Sequence, residues 1–177
     1  MINEETNQKY NIKLILYFIL GLIDNLFLYL TKFATIIGSP YICFLSFKIV
    51  IFRHNFFKIR KDKNILVLYR SIGIEDLNYL DDKERKKISF FVFPRSHIKV
   101  IYSTFVGDKN VSNKNFLIQK KKNYKSFLSK LLYHLKKEYN LSSIISFNFS
   151  YYAERQLHEA SIKNKLKFIV LHKESNL

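Results

Sequence analysis

The sequence predicts an α/β protein in which a hydrophobic helical leader precedes a partial parallel sheet. Two observations point to the sheet. Short, continuous apolar runs recur between residues 65 and 171, as in strands that are buried on both faces. Helical patterns alternate with these runs over short connections, which is typical of βαβ units. The leader is predicted from a third observation, a nearly uninterrupted apolar stretch over residues 14–52.

The first apolar segment, LILYFILGLIDNLFLYL at residues 14–30, is slightly too short for a bilayer span, which needs about 20 residues. It also carries Asp24 and Asn25 near its middle. Polar groups recur at spacings of three and four, from Lys13 through Asp24 to Lys32, so a helix gathers them on one stripe. This pattern favours a helix that lies in the membrane interface, or packs on a partner, over one that spans.

The second apolar segment, residues 33–52, is broken by Gly38-Ser39-Pro40. A hairpin inserted into a membrane and a buried pair of helices both fit this pattern. Basic residues then accumulate, which suits the cytoplasmic face of an anionic membrane: Lys48, Arg53, Lys58, Arg60, Lys61 and Lys63. We therefore predict that residues 1–62 form a basic, membrane-associating helical leader, peripheral or monotopic. A soluble protein with a very hydrophobic helix pair is the alternative.

Strands are predicted at residues 65–69, 88–93, 144–147 and 167–171, the second of them closed by Pro94 because proline cannot donate to a sheet. A polar connection over residues 74–87 is predicted to be helical. Ser96 is the expected N-cap of a helix over 96–105, although a strand fits these β-branched residues nearly as well. Residues 63–177 then form a Rossmann-like half-domain that we expect to be truncated at its C-terminus.

Two helices are predicted in the last third of the chain. Between residues 120 and 137 an apolar stripe recurs with helical spacing, at Tyr124, Phe127, Leu128, Leu131, Leu132 and Leu135. Ser150 is the expected cap of a helix over 151–166, with Glu154 in its first turn. Pairs four residues apart are expected between Glu154 and His158 and between Arg155 and Glu159.

The formal net charge of +16 favours polyanionic surroundings such as anionic lipid, phosphorylated substrates or nucleic acid. Lys outnumbers Arg 24 to 6, and this bias of an AT-rich genome explains part of the charge without any partner. The lysines of the 120–137 helix leave a nucleic-acid-binding protein as the rival interpretation. A crossover helix with solvated lysines is favoured over it, so nucleic acid is the disfavoured partner.

Several chemistries lack their motifs. The chain has no glycine-rich phosphate loop, no zinc-protease motif and one cysteine. Its five histidines show no ligand spacing, so we expect no metal site and place each histidine at the surface or at a strand tip.

Polar groups follow three of the predicted strands, and parallel, adjacent strands would bring them to one edge of the sheet. The candidate substrate-binding residues are Arg70, Asn148, Ser150, Tyr151, His172, Lys173 and Glu174. The start of the 151–166 helix adds backbone N–H groups suited to a phosphate or carboxylate. None of these residues is assigned a catalytic step.

The order of these segments resembles the amino-terminal half of a GT-B-type glycosyltransferase, in particular bacterial envelope polysaccharide enzymes of the CDP-glycerol:glycerophosphotransferase kind. The stretches that carry the resemblance are the apolar leader, NILVLYRSIG, FFVFPRS, SIISFNFSYYAERQLHEA and FIVLHKES. The last two, over residues 143–175, carry most of it.

This resemblance implies transfer of a sugar or polyol phosphate from a nucleotide-activated donor. The reaction would take place at the cytoplasmic face of the inner membrane, with no required metal and no cofactor. In such enzymes the amino-terminal half mostly holds the acceptor, and a second Rossmann-like half grips the donor nucleotide. We therefore expect an acceptor-side fragment that is inactive alone and needs a missing half or a partner chain. A small membrane protein that recruits a partner is a further alternative.

Overall fold

The computed structural model describes residues 2–55, 63–69, 88–107, 114–147 and 152–171. Four strands form one parallel sheet: β1 (Lys63–Tyr69), β2 (Ile88–Pro94), β3 (Leu141–Ser146) and β4 (Lys167–Val170). Each predicted strand is present, and the predicted α/β class with a parallel sheet is confirmed. The predicted helical connection over 74–87 lies outside the described residues.

The strand order is β2-β1-β3-β4. From β1 the chain moves to β2 on one side, and it later returns to the opposite side of β1, where β3 and β4 lie. The direction of winding therefore reverses between β1 and β3. In open parallel sheets, ligands bind outside the carboxyl ends of the strands at such a switch point.

The helices of the described residues are α1 (Ile2–Ile36), α2 (Pro40–His54), α3 (Ser96–Val106), α4 (Lys114–Tyr139) and α5 (Tyr152–Lys163). All five contribute buried side chains to one hydrophobic cluster, together with Leu66 and Leu68 of β1. Side chains alternate between the two faces of a strand, so Ile65 and Val67 belong to a separate, smaller cluster on the opposite face. The described helices thus share one face of the sheet.

Helices α1 and α2 form a hairpin whose break is the one predicted at Gly38-Ser39-Pro40. Gly38 has a φ of 74°, in the left-handed region that favours glycine, and α1 ends just before it. Ser39 then caps α2, since its side chain accepts a hydrogen bond from the Ile42 backbone N–H at 3.3 Å, and Pro40 occupies the first helical position.

Asn55, at the end of α2, attaches the hairpin to the sheet. Its side-chain amide donates to the Val92 carbonyl at 2.9 Å, and its side-chain oxygen accepts from the Val92 N–H at 2.8 Å. Val92 belongs to β2, which is an edge strand of the described sheet. Asn55 is 6% exposed, so it satisfies two backbone groups of an edge strand inside the protein, where an unpaired group would be costly.

Helix α4 covers the sheet as the sequence predicts. Its whole apolar stripe is buried, from Tyr124 to Leu135, while Lys122, Lys130 and Lys137 are exposed. The sequence left helix and strand open for the residues after Arg95, and the structure shows that residues 96–106 are helical. The predicted cap of α3 was wrong: Arg95 and not Ser96 is the N-cap. The Arg95 guanidinium has no acceptor for a capping bond, and it binds Glu154 instead.

Candidate functional site at the carboxyl edge of the sheet

All seven sequence-predicted site residues lie outside the described residues: Arg70, Asn148, Ser150, Tyr151, His172, Lys173 and Glu174. The strands that precede them in the chain are described. Strands β1, β3 and β4 are adjacent and parallel, so their carboxyl ends share one edge of the sheet. The premise of the prediction is therefore met, while the site residues themselves stay a prediction.

A buried ion pair lies at this edge and was not predicted. Arg95 directly follows β2, and Glu154 is the third residue of α5, after β3. The Arg95 Nε–H donates a charge-assisted hydrogen bond to Glu154 Oε1, between residues 59 apart in sequence. Because β2 and β3 flank β1, this pair joins the two chain segments that enclose the carboxyl end of β1 at the switch point.

The surroundings of Glu154 are almost free of solvent. Its side chain is 0% exposed and that of Arg95 is 4% exposed. Glu154 lies in the first turn of α5, where the helix dipole favours a negative charge. Its second oxygen, Oε2, has no hydrogen-bond partner among the described residues. A buried carboxylate oxygen ordinarily accepts a hydrogen bond, so Oε2 is a spare acceptor at this edge.

Tyr124 of α4 contacts the first turn of α5. Its hydroxyl donates to the carbonyl oxygen of Ala153 at 3.2 Å, next to Glu154. Burial, and then the negative charge of Glu154, raise the pKa of Tyr124 well above its ordinary value, so the phenol stays protonated and keeps donating. Helix α4 thereby fixes the position of the Glu154 backbone.

Of the two predicted pairs four residues apart in α5, one forms and the other does not. Arg155 and Glu159 do approach each other, with Nε and Oε1 4.0 Å apart. Glu154 turns inward and binds Arg95, and the His158 ring packs on Phe168 with centroids 5.3 Å apart. The inward turn has a physical cause: Arg95 is a buried cation, and burying it requires a counter-charge.

The prediction for the histidines fails at His97, which is 3% exposed. Its Nδ1 lies 2.9 Å from the Thr31 hydroxyl, which in turn lies 3.1 Å from the Ser46 hydroxyl. These three side chains come from α3, α1 and α2, so His97 joins both helices of the hairpin to α3. Within the described ranges, no group of three or more His, Cys, Asp or Glu side chains is placed to hold a metal ion.

The hairpin carries a second feature, an unusual arrangement of its apolar residues. Within residues 19–36 of α1 the buried side chains are small: Thr31, Ala34 and Thr35. Helix α2 buries Phe44, Phe47, Val50 and Ile51, but both helices also expose many large apolar side chains, and we call this exposed surface the apolar face. It consists of Ile19, Leu22, Leu26, Tyr29, Leu30, Phe33, Ile36 and Ile37, followed by Tyr41, Ile42, Leu45, Ile49 and Phe52.

Only 17% of the segment Ile19–Ile36 is buried, and this segment is long and apolar enough to cross a membrane by length and composition alone. Core helices and signal sequences pass the same test. Asp24, the one acidic residue of the segment, pairs with Arg53 of α2, and Arg53 also donates to the Leu20 carbonyl at 3.0 Å. The negative charge of Asp24 is thus matched within the hairpin.

No family model matches the chain, and neither the curated proteins nor the solved structures contain a match to it. Two features of the structure bear on function: the carboxyl edge with its buried ion pair and the hairpin with its apolar face.

Proposed function

We propose that this chain is the amino-terminal, acceptor-side half of a membrane-associated glycosyltransferase or glycerophosphotransferase of envelope polysaccharide biosynthesis. The observation that carries the proposal is the combination of an open parallel sheet with a hairpin that packs into the same hydrophobic cluster and also exposes many large apolar side chains. This combination suits a reaction between a soluble nucleotide-activated donor and a lipid-anchored acceptor. Fold alone does not define an activity, so the enzyme class comes from the sequence resemblance.

Lipid is the occupant that best explains the apolar face. A helix at the surface of a soluble domain buries its large apolar residues and exposes its polar ones, whereas α1 buries Thr31, Ala34 and Thr35 and exposes Leu26, Phe33 and their neighbours. Small residues at helix contacts and large apolar residues outside are typical of helices in membranes. The net charge of +16 favours an anionic surface. We therefore place the protein at the cytoplasmic face of the inner membrane, embedded through the apolar face.

The carboxyl edge supports the acceptor role. Helices α3 and α5 both begin there, and their N-termini favour anionic groups. Glu154 Oε2 adds a buried acceptor that suits a hydroxyl-bearing ligand. An acceptor that carries hydroxyl and phosphate groups combines both chemistries, and the donor nucleotide would bind to a second half or a partner chain.

The wild-type chain should float with vesicles that contain about a quarter anionic lipid. The triple variant Leu26→Gln, Tyr29→Gln, Phe33→Gln should bind them at least about tenfold more weakly, because it replaces three large apolar side chains that would be buried in the lipid. Flotation in a density gradient measures this partition. A matched control replaces three exposed apolar residues outside the hairpin, Ile118→Gln, Tyr133→Gln and Ile162→Gln, and should bind as the wild type does.

Equal flotation of the two triple variants would contradict the membrane assignment. A wild-type chain that ignores vesicles, but is a dimer that only the hairpin variant dissociates, would assign the apolar face to a second copy instead. Gel filtration of the same three proteins in detergent-free and detergent-containing buffer separates these results.

The transfer reaction is tested in membranes of the source organism, where any second half is present. Membranes from cells whose only copy carries His172→Ala and Lys173→Ala should incorporate at least about tenfold less label from nucleotide-activated sugars and polyols into envelope polymer, because charged hydrogen bonds to the acceptor are lost. The control is Lys130→Ala with Lys137→Ala, two exposed residues of α4. Undiminished incorporation, with an unchanged polymer in a deletion strain, would refute the proposed function.

A further inference from the structure

A cavity of about 380 Å³ opens between α4 and α5. Lys121, Lys122 and Lys125 of α4 line it, together with Arg155 and Glu159 of α5. Among the described lining residues, four cationic side chains and one carboxylate leave a formal excess of three positive charges. Convergence of cations on a concave surface strengthens the local field and attracts anions.

Glu159 organises part of this charge. Its Oε2 accepts from Lys125 Nζ at 2.8 Å, and its Oε1 lies 4.0 Å from Arg155 Nε. The carboxylate therefore holds one cation from each helix at the cavity, which lowers the entropy lost when they bind an anion. Lys122 is exposed at the same wall and adds an uncompensated charge among the described lining residues.

Gln156 provides a second kind of contact. It lines the cavity, is 7% exposed, and its buried side-chain oxygen Oε1 has no hydrogen-bond partner among the described residues. An amide oxygen accepts hydrogen bonds and cannot bind a fully ionised phosphate, so it calls for a hydroxyl or N–H donor. The cavity thus combines donors for an anion with an acceptor for a hydroxyl group.

We propose that this cavity binds a small phosphorylated sugar or polyol, with the phosphate on Lys122, Lys125 and Arg155 and a hydroxyl on Gln156. The volume lies within the range of small-molecule sites. It is too small for a folded partner, and the aromatic stacking platforms of single-strand-binding grooves are absent from its described lining. The site does not depend on the apolar face, nor on the proposed transfer reaction.

Calorimetric titration of the full chain, in detergent micelles, tests the proposal with glucose 6-phosphate, inorganic phosphate and glucose. Glucose 6-phosphate should bind saturably and more tightly than inorganic phosphate, and glucose alone should not bind. The double variant Lys122→Gln, Arg155→Gln should weaken glucose 6-phosphate by at least about tenfold. The double variant Lys130→Gln, Lys137→Gln removes two exposed charges from α4 outside the cavity and should stay within about twofold of the wild type.

Gln156→Met separates the two halves of the site. This variant keeps the side-chain length and removes the acceptor, so glucose 6-phosphate should bind no more tightly than inorganic phosphate, whose own binding stays unchanged. Equal weakening by both double variants would show that the anion is attracted by diffuse surface charge and would overturn the proposed site. An absence of saturable binding up to about 10 mM would do the same. A single-stranded oligonucleotide that binds more tightly than the sugar phosphate would assign these lysines to nucleic acid.

Discussion

Arg95→Met should lower the free energy of unfolding by about 3–5 kcal/mol, the usual cost of removing one partner of a buried ion pair. The variant leaves the Glu154 carboxylate, which is 0% exposed, without its counter-charge. Methionine fills much of the same volume, so the loss reports the charge more than the packing. Urea unfolding followed by far-ultraviolet circular dichroism measures the change, since the chain contains no tryptophan.

The exposed pair Lys125–Glu159 is the matched control. Its Nζ and Oε2 are 2.8 Å apart, but the two side chains are 43% and 40% exposed. Water already solvates both charges, so Lys125→Met should cost no more than about 1 kcal/mol. A similar loss in the two variants would mean that the Arg95–Glu154 pair is not desolvated, contrary to its position in the structure.

The double variant Arg95→Met, Glu154→Leu tests the origin of the effect. Once both charges are gone, no buried charge is left unpaired, so the double variant should be more stable than Arg95→Met alone. A double variant that is as unstable as the sum of the two single variants would show that packing, and not charge, dominates at the switch point.

The strands and the helix hairpin were predictable because their signals are local. Continuous apolar runs such as Ile65–Tyr69 mark strands that are buried on both faces, and Gly38-Ser39-Pro40 combines a positive φ, an N-cap and a first-turn proline within three residues. The stripe of α4 was equally clear, since it repeats over three turns. Each of these signals lies within one element.

The Arg95–Glu154 pair was not predictable because its two residues are 59 apart and each has a local explanation. Arg95 follows the proline that ends β2, and Glu154 occupies a helix N-terminus where a carboxylate is ordinary. Only the strand order, which places β2 and β3 on either side of β1, brings them together. Strand order depends on long-range pairing, which no local pattern encodes.

The buried side of α1 was only partly visible in the sequence pattern. The expected stripe through Asp24 does face the rest of the protein, since Asp24 pairs with Arg53 and the buried Thr31 and Thr35 lie on the same side of the helix. These small residues are selected by close contact with α2 and α3, including the hydroxyl contacts from Thr31 to Ser46 and His97. A periodicity of hydrophobicity cannot find a contact that is made by small polar side chains.

His97 should make the stability of the protein fall as the pH is lowered. Burial is the main cause that lowers the pKa of His97 from 6.5 to about 4, and the charge of nearby His54 lowers it further. Between about pH 6.5 and 4, His97 is therefore protonated in the unfolded chain but neutral in the folded protein. The contribution of the neutral His97 to the free energy of unfolding is fully present above the unfolded pKa, and about 3 kcal/mol is lost as the pH drops through this window.

About 2 kcal/mol of this loss should appear between pH 7.5 and 5.0, above the range in which most carboxylates titrate. The pKa of His54 is also lowered by burial, so it contributes to the wild-type slope with the same sign. His97→Gln removes the titrating group and should show a flatter dependence, and its difference from the wild type isolates the His97 contribution.

Thr31→Val distinguishes burial from hydrogen bonding as the cause. It removes the hydroxyl 2.9 Å from His97 Nδ1 while leaving the ring enclosed by Phe47 and Phe93, whose centroids lie 5.7 and 5.2 Å away. If burial lowers the pKa, Thr31→Val keeps the full pH dependence and loses only a constant part of the stability. A pH dependence that disappears in Thr31→Val, or that persists unchanged in His97→Gln, would contradict a buried neutral imidazole at the junction of α1, α2 and α3.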